Sequence, residues 1–111
     1  VSASSLERGL ASLAADESGV LRFSGKVIGP EVVQLRADGE KALARCQERR
    51  CEIDLAGVEN ANSMLLSLLL CWQRFAAEKG VDLRFSGANE RLVALATMSR
   101  VSGHLPGLAS L

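Results

Sequence analysis

At 111 residues the chain has the length of one domain with a modest core, and we expect a single domain over residues 1–111 with its core between about 6 and 105. Thirteen Lys and Arg balance thirteen Asp and Glu, which excludes the basic footprint that nucleic acid or an anionic membrane would demand. Three cysteines without a C-x-x-C pair and a single histidine argue against a disulfide framework or a zinc site, and reduced thiols in a cytoplasmic protein are expected.

Leu6, Leu10 and Leu13 leave residues 6–14 open between a short strand and a helical turn. Ala15 to Gly19 reads as a turn, and Val20 to Val27 alternates as a strand with Leu21, Phe23 and Val27 inward. If 6–14 is extended, the two segments form a hairpin, and we expect that arrangement. Gly29-Pro30 breaks the chain, and the spacing of Val32, Leu35, Leu43 and Cys46 predicts a helix over 31–47. Gly39 is its weak point, because glycine costs about 1 kcal/mol inside a helix. Glu48-Arg49-Arg50 is a charged turn before a short strand at 51–55, central and parallel by its position between helices. Ala56-Gly57-Val58 reads as the turn that follows it. The second long helix runs over 63–79 and stops at Gly80, where a left-handed cap is usual. Val81 to Phe85 alternates strictly as the next strand, and Asn89 starts a third helix over 89–99. From Ser102 the tail carries Gly103, Pro106 and Gly107 and is expected to be loose or to form one short turn. The order implies an α/β fold, a mixed sheet of four to five strands with helices packed mainly on one face.

Catalysis is hard to assemble from these residues. His104 stands alone in the Gly/Pro-rich tail, no serine sits in a G-x-S-x-G elbow, and no G-x-x-x-x-G-K-[ST] loop occurs. Asp54 and Glu59 could form a carboxylate pair, but they read more simply as a strand end and a solvated turn residue. We expect no enzyme activity, no cofactor and no metal. The longest apolar run, Met64 to Trp72, is far short of the roughly 20 residues needed to cross a membrane. No basic region followed by an apolar block opens the chain, so neither a signal peptide nor membrane insertion is expected.

The informative stretch is the start of the 63–79 helix. Eight of the nine residues from Met64 to Trp72 are hydrophobic, with Ser67 the exception. Leu65, Leu68, Leu69, Trp72 and Ala76 share one broad face, while Met64, Leu66, Ser67 and Leu70 spread over the remaining arc. Either the domain buries that helix on several sides or a partner covers it. A small domain with helices on one sheet face cannot easily bury all of it, so we expect a protein partner on Asn62, Ser63, Met64, Leu66, Ser67 and Leu70. Asn62 or Ser63 can cap the helix. A phosphate on Ser63 would be held by free amides, yet it would place about two negative charges beside Met64, Leu66 and Leu70.

These features together resemble the STAS domain, the fold of bacterial anti-sigma factor antagonists and of the cytosolic tails of sulfate transporters. The likeness is carried by Val20–Val27 with Ser24-Gly25, by Ile53-Asp54-Leu55-Ala56-Gly57-Val58, and by Asn62-Ser63 opening a Leu-rich helix. Gly80-Val81-Asp82-Leu83 and Asn89-Glu90-Arg91-Leu92 complete it over about residues 6–105. The Leu65-to-Trp72 helix and the Arg91-to-Ala96 segment look most like the branch of small cytoplasmic subunits of the Mla phospholipid ABC transporter of Gram-negative bacteria. That resemblance implies a non-enzymatic subunit that binds the transporter's ATPase, in a complex with a permease at the inner membrane, with Ser63 at the contact. The alternative it implies is an anti-sigma factor antagonist switched by phosphorylation at Ser63. Such antagonists usually carry Asp-Ser-x-Gly there, and this chain has Asn62 for the acid and Leu65 for the glycine.

Overall fold

The computed structural model describes residues 12–15, 20–27, 31–46 and 49–108. Strand β1 (Ser12–Ala15) pairs antiparallel with β2 (Leu21–Gly25), which lies parallel to β3 (Arg50–Val58), itself parallel to β4 (Asp82–Ser86). The sheet order is β1-β2-β3-β4. Parallel neighbours need crossovers, supplied here by helices α1 (Glu31–Ala44) and α2 (Ser63–Lys79); α3 (Glu90–Met98) follows β4. The expected hairpin is present, with its first strand at 12–15; Ala15, assigned to the turn from sequence, is paired with Leu21. Residues 6–11 and 16–19, the rest of that segment and turn, lie outside the described residues.

Alternation makes the sheet two-faced. Leu21 and Phe23, Cys51, Ile53 and Leu55, and Leu83 and Phe85 are buried, whereas Arg22, Glu52, Asp82 and Arg84 are exposed on the opposite face. The helices cover the apolar face, as expected of this pattern. On the open face Arg22 forms an ion pair with Asp54 at 2.6 Å, and Ser86 donates to Glu52 at 2.8 Å.

Two glycines, Gly39 read from sequence as a weak point of its helix and Gly57 as part of a turn, are close approaches. Gly39 on α1 faces Trp72 of α2, and a Cβ at that position would fall inside the indole ring. The Trp72 ring is fully buried, meets Phe23 edge-on at 5.4 Å, and donates its N–H to the Arg36 carbonyl at 3.2 Å. Helical propensity is given up at Gly39 so that the largest side chain of the core can lie against the α1 backbone. Gly57 is not in a turn: β3 continues to Val58, pairing Ser24 with Gly57 and Gly25 with Val58. Three steps along β3 oppose two along β2 there, a bulge, and a Cβ on Gly57 would stand 2.6 Å from Ser24 Cβ.

The C-terminal tail is also not loose. After a short 3-10 turn (Ser102–His104), Leu105 and Leu108 enter the core with 1% and 2% exposure. Phe85 donates its backbone N–H to Pro106 at 2.9 Å, so the tail covers the outer edge of β4. Gly107, at φ 85°, allows the chain to pass against the Phe85 carbonyl. Among the described residues no helix is long and apolar enough to cross a membrane.

Candidate protein-docking site

The start of α2 is held by two asparagines. Val27, at the end of the β2 segment, donates its N–H to Asn60 Oδ1 at 3.2 Å, and its carbonyl accepts from Asn60 Nδ2 at 3.1 Å and Asn62 Nδ2 at 3.3 Å. Asn62 Oδ1 accepts from the Leu65 N–H at 2.8 Å, which makes it the helix cap. The amide therefore works at both ends, as cap acceptor and as donor to Val27. An aspartate could do only the first, which gives a physical reason for the residue type in this chain. Sequence reasoning missed Asn60; the Asn-x-Asn spacing before a helix is its only local signal.

With capping assigned to Asn62, Ser63 is released from it. Ser63 is exposed, and its hydroxyl makes no hydrogen bond among the described residues. Met64 is 40% exposed, Ser67 is exposed, and Leu70 is half-buried one turn further on. Leu66 corrects the sequence expectation: at 5% exposure it belongs to the domain's own core and offers no surface to a partner. Leu65, Leu68, Leu69, Trp72 and Ala76 are buried as well. The helix is enclosed more fully than expected: α1 packs along it, α3 touches it, and the C-terminal tail runs beside it across a groove. In the first two turns of the helix what stays open is a narrow strip of Ser63, Met64, Ser67 and Leu70, with the half-buried Asn62 at its start and Cys71 half-buried beside Leu70.

The other candidate groups stay apart from this strip. Asp54 lies within β3 instead of ending it, and its carboxylate is committed to Arg22 and to the Ala56 N–H at 2.9 Å. Glu59 is exposed beyond the strand, its backbone N–H on the Gly25 carbonyl. Cys46 donates its thiol to the Arg50 carbonyl at 3.0 Å. The Cys51 thiol is pushed up to about 12, first by burial, then by its hydrogen bond and electrostatic coupling with Cys46 and by the nearby Glu52 carboxylate. It remains protonated at neutral pH and is a poor nucleophile. No group of three or more His, Cys, Asp or Glu could hold a metal ion among the described residues.

With this geometry in place, the family model described as "Mlab, STAS domain" matches residues 11–108. The chain belongs to this family. Three solved STAS-type structures are similar in fold. An anti-sigma-factor antagonist (STAS) domain protein from Planctomyces limnophilus has a TM-score of 0.67 at 18% identity, covering 91% of both chains. The anti-sigma factor antagonist SpoIIAA in its unphosphorylated form gives 0.67 at 12% identity, over 87% of this chain and 86% of that one. An anti-sigma factor antagonist from Mycobacterium paratuberculosis gives 0.66 at 18% identity, over 91% and 86%. At such identities the likeness establishes the STAS fold alone. No curated protein matches the chain in sequence.

Proposed function

We propose that this STAS domain is the non-enzymatic subunit that binds and supports the ATPase of an ABC phospholipid transporter, an MlaF-like ATPase working with a permease at the inner membrane to maintain outer-membrane lipid asymmetry. The observation that carries this reading is the Mlab family match over 11–108. The open strip on α2 is compatible with it: Asn62, Ser63, Met64, Ser67 and Leu70 form the docking surface, and Leu66 supports them from the core behind. Small hydroxyls at Ser63 and Ser67 let a partner come close to the helix, and Met64 and Leu70 supply apolar area.

A second reading, an anti-sigma factor antagonist controlled at Ser63, draws on one specific observation: that hydroxyl is exposed and unbonded among the described residues, so a kinase could reach it. Purification of the tagged protein from its own cells separates the two. Recovery of transporter ATPase and permease supports the first reading; an anti-sigma kinase recovered without them replaces it with the second. Ser63→Glu and Leu70→Asp variants should stay folded, since an acid near a helix N-terminus is favourable and Leu70 is only half-buried. Both should lose the ATPase, because a charge forced into a dry contact costs several kcal/mol. Wild-type affinity in both folded variants would move the interface elsewhere.

A further inference from the structure

Beyond the α2 strip, a groove of about 500 Å3 opens between α2 and the docked C-terminal tail. Leu70, Gln73, Arg74 and Ala77 line it from the helix, and His104 and Pro106 from the tail. Leu70 belongs to both the strip and the groove, so the two surfaces are continuous. The charge of the groove is one-sided. Arg74 is exposed and makes no ion pair among the described residues, His104 stands opposite it, and no acidic side chain lines the cavity. Gln73 buries its amide oxygen without a hydrogen-bond partner, so no bond holds that end of the amide in its present orientation. The apolar part of the lining comes from Leu70, Ala77 and Pro106.

We propose that this groove receives an extended segment of the protein partner that carries a carboxylate beside an apolar residue. The carboxylate pairs with Arg74 and faces His104, Gln73 turns its amide to meet the segment, and the apolar side chain lies on Leu70, Ala77 and Pro106. An acid is the complement because a guanidinium binds carboxylates with two parallel hydrogen bonds, whereas an apolar or basic segment would leave Arg74 desolvated and unpaired. The proposal rests on the transporter-subunit reading and extends its contact beyond the helix start to a second, charge-selective anchor.

The test is photo-crosslinking in the full-length protein co-expressed with the transporter ATPase, with benzoylphenylalanine in place of Ala77 in one sample and in place of Ser67 in another. The expected result is ATPase captured from both positions, the peptide from position 77 containing Asp or Glu. Arg74→Glu should weaken the complex roughly 10- to 100-fold, the scale of one charge-assisted hydrogen bond, and reversing the captured acid to Lys should restore it. Thermal melting checks that Arg74→Glu remains folded. Capture from 67 alone, a peptide without an acid, capture of residues 109–111 of this same chain, or an unchanged affinity for Arg74→Glu would overturn the groove assignment and leave the subunit reading standing. Capture from neither position, with no binding by the wild type, would overturn both.

Discussion

Replacing Asn62 with aspartate tests the account of the helix start most directly. Aspartate is as good a cap as asparagine and adds a negative charge where the helix dipole favours it, a gain of about 0.3–1 kcal/mol. Considered as an isolated helix, the variant should be at least as stable as the parent. In the folded domain the side chain also donates through Nδ2 to the Val27 carbonyl at 3.3 Å. Aspartate loses that bond, worth about 0.5–1.5 kcal/mol, and turns a second acceptor toward the carbonyl, with a penalty of about 1–3 kcal/mol for a poorly satisfied, partly buried group. Asn60 keeps its own bond to the same carbonyl and limits the damage. The net expectation for Asn62→Asp is a loss of about 1–2 kcal/mol, which lowers the melting temperature by roughly 4–12 °C for a domain of this size. Differential scanning calorimetry at neutral pH reads this directly, with Asn62→Ser as the comparison that replaces the amide by a shorter hydroxyl cap without adding a charge. An Asn62→Asp protein that melts at or above the wild type would refute the double role assigned to the amide.

Gly39→Ala should destabilise by about 1–3 kcal/mol in spite of alanine's higher helix propensity, because the added methyl meets the Trp72 indole; urea unfolding followed by Trp72 fluorescence measures it. Leu108→Ala should cost about 2–5 kcal/mol by the same assay, which would not happen if the tail were loose. The Cys51 thiol, raised from 9.0 to about 12 by burial, binds its proton more tightly in the folded state than in the unfolded one. Its contribution is therefore complete below pH 9 and is lost as pH rises toward 12, so wild-type stability should fall across that window more steeply than that of Cys51→Ala. At pH 8 the folded protein should also leave Cys51 unalkylated by iodoacetamide while the denatured chain reacts there; rapid labelling of Cys51 in the folded protein would contradict its burial.

Much of this domain is encoded in local order. Strict alternation in Val81–Phe85 and near-alternation in Leu21–Val27 and Cys51–Leu55 identify three strands and their inward faces, because a strand buried on one side must alternate. The dense apolar run bounded by Asn62 and Gly80 specifies α2 to the residue, since a cap and a left-handed stop are properties of a few consecutive residues. The strand-helix order around them is enough to identify the sheet as mixed, while the likeness to STAS domains is carried by Ile53–Val58 and by Asn62-Ser63 opening a Leu-rich helix. Other features depend on neighbours that no local pattern reveals. Gly39 reads in sequence as a local penalty and Gly57 as a turn residue, and their purpose appears when Trp72 and Ser24 are brought against them. Leu66 looks surplus on a helical wheel, but the domain's own core buries it, and Leu105 and Leu108 join that core from a tail whose Pro106 carbonyl binds the β4 edge. Asn62 rather than Ser63 caps the helix because only the amide can also reach Val27, a partner set by the β2–β3 pairing. Propensity and periodicity describe what a segment prefers by itself; which preferences are overruled is decided by close packing and by the need of each buried polar group for a partner.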